Sequence, residues 1–407
     1  MNNRQLIVAV AVLVILGAVF LIVSKKEDTS WEGGDDSIVK NPLFKEFDVN
    51  SVSCLELKGS KSKVKISRSE DGWTVEERGG FPANFDQLKK FILAVSKLEV
   101  VQRPRVLKSQ FAELGLAPPG GGKSDEGKRE GISSRFTDAD GGTVASLLLG
   151  DFHMAPKKDN GYAFNQNIPD GRYVLLEGSD SPALVSNALS NAIPKPEAWI
   201  DKRGIDMAGI LSIEALKKDG TTEWKLYRRN LAEAWILDGQ KKNEDLKPYP
   251  MSQVASVFER ERFDDVVPGD SKDAASLMEN AKTVVLKTLD KFSYTVKIAV
   301  KGDKGYMKYS VSANIPEKME VDKNTVMDGK EKKKRLKRFQ ERRKKLLAKL
   351  KREKKLSEWI YVYPKYAVEK IMKKRSDFVV KKAAKRGKDA GGDKKKDGTG
   401  KNDSSNK

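Results

Sequence analysis

A single cysteine, Cys54, and a single histidine, His153, stand in a chain of 407 residues. One thiol closes no intrachain disulfide, so the fold rests on burial, and the cysteine count identifies no redox compartment. One cysteine and one histidine also leave zinc without its usual nitrogen and sulfur ligands. A phosphate loop is missing as well. The run 115–124, GLAPPGGGKS, ends in Gly122, Lys123 and Ser124, but Ala117 stands where the motif needs its first glycine. Pro118 and Pro119 remove two N–H donors from any phosphate cradle. No strand leads into the run and Asp-Glu-Gly follows it, so it reads as an exposed turn or linker.

Apolar and aromatic residues are plentiful, with 38% hydrophobic residues, six Trp, ten Tyr and fifteen Phe. That is ample for two domains or one repeated pair. Residues 6–23, LIVAVAVLVILGAVFLIV, contain no charged or polar side chain. As a helix they would span about 27 Å, close to the hydrocarbon thickness of a bilayer. No small-x-small site closes the run as a cleaved signal peptide would require. The expectation is a single-pass transmembrane helix at 6–23, a short flank at 1–5 and a linker at 24–50. Arg4 faces Lys25 and Lys26 across the span, nearly a draw for orientation. A short leader before a large domain suits an extracytoplasmic bulk.

The formal net charge of +20 is concentrated in two places. Residues 331–355 hold fifteen Lys or Arg against three Glu, and residues 381–407 hold ten against four Asp. The rest of the chain is almost neutral. The tail 381–407 has no hydrophobic pattern and reads as disordered and lysine-rich. Residues 331–355 are rich in helix formers, with Leu336, Phe339, Arg343, Leu346 or Leu347, Leu350 and Leu356 as a narrow stripe. Such a helix suits anionic lipid, nucleic acid or a protein contact.

The remaining chain repeats itself. Alternation at Cys54 to Leu57 and Val64 to Ser67, then Gly72 and Trp73, predicts three strands, with Cys54 as a small core side chain. Leu211 to Leu216, Trp224 to Arg228 and Trp235 to Leu237 repeat that pattern around an Asp219-Gly220 turn. A helix follows each set. Asn84 is placed to cap the first, with Phe85, Leu88, Phe91, Ile92, Val95 and Leu98 on one face. The second runs near Pro250 to Glu261 with Val254, Val257 and Phe258 alike. Further strands are expected at Thr143 to Gly150, Gly161 to Phe164 and Arg172 to Glu177. In the second unit they are expected at Thr283 to Leu289, Tyr294 to Val300, Met307 to Val311 and Trp359 to Tyr363. Closing helices are expected at Ser181 to Ala192 and Lys365 to Lys374. The expected fold class is α+β: a transmembrane helix and two duplicated, mostly antiparallel sheet-plus-helix modules at 51–205 and 206–380. The basic helix, 329–356, is an insertion in the second unit, answered in the first by Pro169-Asp-Gly. It reads as an appendage that contributes little to the core.

This organisation resembles DUF4340, a bacterial family defined as a domain of unknown function. The resemblance rests on Gly72-Trp73, on Phe81-Pro-Ala-Asn, and on the run from Phe111 to Pro119, similar to an aromatic-x-x-x-Gly-Leu-x-x-Pro signature. Leu149-Gly150, Gly161-Tyr162 and Tyr173-Val-Leu fit as well, over roughly residues 50–375 and most strongly 52–203. The resemblance implies one N-terminal anchor, association of some members with ABC transporter subunits of the gliding-motility type, and no assigned catalytic residues.

No catalytic, cofactor-binding or metal site is assigned. His153 lies between Phe152 and Met154 and reads as structural rather than as a general base. Asp264 with Asp265, and Glu259 with Glu261, read as solvated carboxylates. The functional expectation is a non-enzymatic, membrane-anchored accessory or interaction protein of the bacterial cytoplasmic membrane. Its expected partners are the bilayer through 6–23, anionic lipid or protein through 331–355, and ABC transporter subunits. The alternatives are a nucleic-acid-binding protein using the basic helix and tail, and a hydrolase using His153.

Overall fold

Alternating burial builds the first sheet. In β2 (Cys54–Lys58), Leu55 and Leu57 are fully buried, and in β3 (Lys63–Ser69) Val64 and Ile66 meet them. Successive side chains point to opposite faces of a strand, so Cys54 shares the other face with Glu56 and is only half-buried. It is therefore not the core side chain expected. The structure, a computed structural model, describes residues 41–120, 129–154, 168–203, 205–319 and 329–382.

Eight more strands complete this sheet: β1 (Asn41–Pro42), β4 (Gly72–Val75), β5 (Phe81–Pro82), β6 (Glu99–Gln102), β7 (Ile132–Thr137), β8 (Thr143–Met154), β9 (Pro169–Leu176) and β10 (Ala183–Val185). A second sheet holds β11 (Ile210–Leu216), β12 (Thr222–Tyr227), β13 (Ile236–Leu237), β15 (Asp265–Pro268), β16 (Lys282–Thr288), β17 (Phe292–Lys301), β18 (Lys304–Ala313) and β19 (Trp359–Pro364). The short strands β14 (Glu244–Leu246) and β20 (Val379–Lys381) pair separately. Helices α1 (Phe85–Ser96), α2 (Pro248–Arg260), α3 (Ala274–Leu277), α4 (Gly329–Leu356) and α5 (Lys365–Glu369) lie between them.

From β4, the first sheet runs β4-β3-β2-β7-β8-β9-β10-β6; from β13, the second runs β13-β12-β11-β16-β17-β18-β19-β15. The orders correspond strand for strand, with β1 and β5 as extra edges of the first. Helices α1 and α2 occupy matching places before β6 and β15. Asn84 caps α1, its side chain accepting from the Gln87 N–H at 3.2 Å.

The α+β expectation is corrected. Two large, fully antiparallel sheets dominate, and every helix but α4 is short: α1 has 12 residues and α2 has 13. The helix expected at Ser181 to Ala192 is absent. Its Ala183–Val185 core is β10, buried at every position and paired on both sides, by β9 and β6. Filling that gap outweighs local helix preference. Strand β10 answers β19, so the counterpart of the basic insertion is the short connection 177–182, not Pro169-Asp-Gly, which lies within β9. Helix α5 stops at Glu369.

The membrane expectation is also corrected. Among the described residues no helix is long and apolar enough to cross a membrane. The run 6–23 lies outside those residues, as do 24–40, Gly161 to Phe164 and the tail from 383. A single-pass protein of the bacterial cytoplasmic membrane, with the bilayer or lipid headgroups as partner, is not carried forward. Part of the expected 24–50 linker belongs to the fold, since β1 pairs with β6 and Leu43 is buried.

Helix α4 is no appendage. Its first half is exposed, but Leu346 and Leu350 pack on the core, and Glu353 and Leu356 are buried. Of the expected stripe, Leu336 and Leu347 instead face outward, 43% and 41% exposed. Lys355 reaches Asp71, in the turn between β3 and β4, at 2.6 Å.

One continuous core cluster includes residues of both sheets. At their junction Arg78 donates to both oxygens of Asp265, at 2.6 and 2.8 Å, while Trp359 Nε1 donates to the Arg78 carbonyl at 2.7 Å. Phe81 packs edge-on against Trp359, Phe263 and Tyr361. Removing one partner of such a mostly buried pair leaves the other charge uncompensated, a loss of about 3 kcal/mol. Arg78→Ala is therefore expected to lower the melting temperature while unfolding remains one cooperative calorimetric transition. Two resolved transitions, one for each sheet, would contradict a shared core.

Candidate functional site

A cleft opens where the segment joining the sheets passes α2. The chain leaves the first sheet held by two backbone bonds: Asn84 N–H to the Trp199 carbonyl at 2.7 Å and Asp201 N–H to the Pro82 carbonyl at 2.8 Å. Arg203 is then folded back onto Asp201 at 2.9 Å and Asp86 at 3.4 Å. Farther on, the Asp206 carbonyl accepts from the Tyr294 hydroxyl at 3.1 Å, and its carboxylate pairs with Lys349 at 3.3 Å. Pinned at both ends, the segment presents Lys202, Ile205 and Met207 to the cleft.

Helix α2 forms the opposite wall. Pro248 suits its first turn, and Met251, Val254, Ala255, Val257 and Phe258 make the buried face expected of helical periodicity. Its last residue, Arg260, and the following Glu261 and Arg262 form the rim. The floor is the inner face of the second sheet: Val296, Met307, Tyr309 and Tyr363. The enclosed volume is about 270 Å³. This is near the lower end for small-molecule sites, which are concave, largely apolar and carry a few placed polar groups.

The charges around the cleft are unequal in their partners. Glu259 pairs with Arg228 at 3.3 Å and Glu261 with Lys370 at 2.5 Å, both cations lying outside the cleft lining. The side chains of Lys202, Arg260 and Arg262 have no ion pair or hydrogen bond among the described residues. Tyr363 is 8% exposed, yet its hydroxyl has no hydrogen-bond partner among them. Burial and the nearby Glu261 carboxylate push its phenol up, so it stays a donor at neutral pH.

Behind the floor lies the buried end of α4. The Tyr309 hydroxyl donates to the Glu353 carbonyl at 2.9 Å, and Tyr294 donates to the Glu353 carboxylate at 2.5 Å. The Asp206 N–H adds a third contact at 3.3 Å. Burial pushes the Glu353 carboxyl up; the Tyr294 hydrogen bond and the Lys349 and Arg352 charges oppose that shift. The most basic helix among the described residues is thus fixed to the cleft by an acidic residue.

The sequence candidates fall elsewhere. His153 lies in β8 with Nδ1 at 2.7 Å from Asp170, and this is its one side-chain hydrogen bond among the described residues. That arrangement orients the ring but brings it no nucleophile there. Asp265 is engaged by Arg78, and Glu259 and Glu261 by their own cations, so the acidic pairs do not converge. Among the described residues no group of three or more His, Cys, Asp or Glu is placed to hold a metal ion. Gly115, with φ of 68°, ends a 3-10 turn and leads into a loop; residues 121–128 lie outside the description. Sequence reading missed buried Arg172, which donates to the carbonyls of Gly150 and Leu189 and stacks on Phe152. Burial pushes its guanidinium down to about 10. It also missed the cleft, although the alternating ERER at 259–262 was a visible signal.

Residues 73–280 match the family described as Domain of unknown function (DUF4340). No curated protein and no solved structure matches the chain. The matched span covers α2 and the joining segment but ends before the floor strands and α4. It carries nothing about an anchor or about ABC transporter subunits.

The wall makes its own prediction. Glu353→Ala leaves the Asp206 N–H without its acceptor and the Tyr294 hydroxyl with only the more distant Asp206 carbonyl, and should cost about 1–3 kcal/mol. Glu353→Gln keeps an acceptor and sheds the buried charge. A carboxyl raised by folding contributes stability below its unfolded value and loses it as pH rises through the folded one. The melting-temperature advantage of Glu353→Gln over the unaltered protein should therefore grow as pH is raised from acid to neutral. A difference independent of pH would contradict a buried, raised carboxyl.

Proposed function

Since the chain belongs to the DUF4340 family, which is defined by sequence and not by an activity, we propose from its own geometry that it is a non-enzymatic binding protein. Its site is the cleft between α2 and the segment joining the sheets. The observation that carries this reading is a concave cavity of about 270 Å³, apolar at its floor and charged at its rim, whose walls are fixed from three directions. Backbone bonds to Pro82 and Asn84 hold the joining segment, the core holds α2, and the buried end of α4 backs the floor. Such prior organisation lowers the ordering cost of binding. An apolar floor beneath a charged rim suits the holding of a ligand by shape and charge.

A neutral apolar fluorophore, N-phenyl-1-naphthylamine, probes the cleft without favouring either charge. Its emission should rise saturably with the purified full chain. Ile205 is only partly buried at the mouth, so Ile205→Trp should fill the cavity with little loss of fold. Binding is expected to fall at least tenfold in this variant with the circular dichroism spectrum retained. Unchanged titration of a folded Ile205→Trp protein would overturn the assignment.

A further inference from the structure

We infer that the ligand of this cleft is an apolar molecule bearing one anionic head, of the carboxylate kind. The inference rests on the cleft being the binding site and adds the chemistry of what fills it.

Charge complementarity is the first support. Lys202, Arg260 and Arg262 ring the opening with no anion assigned to them among the described residues, whereas both rim glutamates are already engaged by Arg228 and Lys370. The C-terminal end of α2 carries a partial charge of about −0.5, which places cations there favourably but offsets only a fraction of three. The opening therefore presents net positive charge over an apolar floor. Cationic ligands are disfavoured, and a neutral apolar ligand would leave that charge unused.

The second support is independent of the rim. Tyr363 is more than nine-tenths buried and lines the cleft, with a hydroxyl that no described residue accepts from or donates to. The hydroxyl oxygen itself keeps accessible surface, unlike the buried unpaired Ser134 and Ser271 oxygens, so it is open to a ligand in the cleft. Since the phenol remains protonated, it can donate to an acceptor on that ligand. A carboxylate accepts both its hydrogen bond and those of the neighbouring cations, and charge-assisted bonds of this kind are the strong ones. Beneath it Met207 and Met307 supply soft, adaptable walls that suit an alkyl chain or a ring of varied shape. The volume fits a body on the order of ten heavy atoms, a small ligand by the standards of such sites.

Isothermal titration of the full chain with decanoate, decanol and decyltrimethylammonium separates head from body. Decanoate is expected to bind at least tenfold more tightly than decanol, with the cation weakest. Tyr363→Phe should weaken decanoate several-fold and leave decanol unchanged. The double substitution Arg260→Glu with Arg262→Glu should abolish the preference altogether. These rim residues are exposed, so the fold should survive, and circular dichroism checks it. Raising the salt concentration should weaken decanoate but not decanol. Equal affinities for decanoate and decanol, both lost in Ile205→Trp, would overturn the anionic ligand while leaving the cleft as the site. Binding of all three unaffected by Ile205→Trp would overturn the site itself. A peptide with an apolar last residue, compared as free acid and amide, distinguishes a protein terminus from a free acid as the source of the carboxylate.

Discussion

Arg78 and Phe81 join the two sheets. The guanidinium grips both oxygens of Asp265 across the sheets, its own carbonyl takes the Trp359 N–H, and Phe81 inserts its ring among Phe263, Trp359 and Tyr361. Two sheets of matching strand order could be independent units. Here the aromatic cluster makes their cores continuous, and the ion pair fixes their register. The cleft is a consequence. Its walls come from the joining segment and α2, and its floor from the second sheet, so it keeps its shape only while the two sheets keep their relation.

The second constraint is the anchoring of α4. A helix so rich in lysine and arginine repels itself and gains little from propensity alone, so its position has to come from tertiary contact. It comes from one buried face, where Leu346, Leu350, Glu353 and Leu356 meet the sheet and the joining segment. Glu353 is an expensive residue to bury, and Tyr294 together with the Asp206 N–H offsets that cost. The exposed half of α4 remains a highly charged projection, while the buried half stiffens the back of the cleft. The helix expected to be removable is therefore part of the architecture around the site.

Much of the local structure was legible. Leu55 with Leu57, and Val64 with Ile66, alternate as half-buried strands must, and Asn84 marks the start of α1 through a cap that the structure contains. The repeat was visible in the recurrence of strand patterns before a helix, and the matching strand orders give it a topological form. The reading failed at Ser181 to Ala192, where an apolar triplet can serve a helix face or a buried strand equally well. The gap between β9 and β6 decided for a strand.

The site was hardly legible, for a different physical reason. Lys202, Arg260, Arg262 and Tyr363 are distant in sequence, and each looks ordinary where it stands. What distinguishes them is that Glu259 and Glu261 are satisfied from outside while they are not, and ion-pair partners are set by packing. By itself, then, the sequence determined which segments alternate, where a helix begins, how charge concentrates in one segment and the tail, and which family the chain resembles. These follow from local periodicity and composition. Only the tertiary structure decided that two antiparallel sheets share one core, that the basic helix is moored by a buried glutamate, and that a cationic rim stands over an apolar floor. Those outcomes depend on which distant side chains meet, and on which charges remain without a partner once they have met.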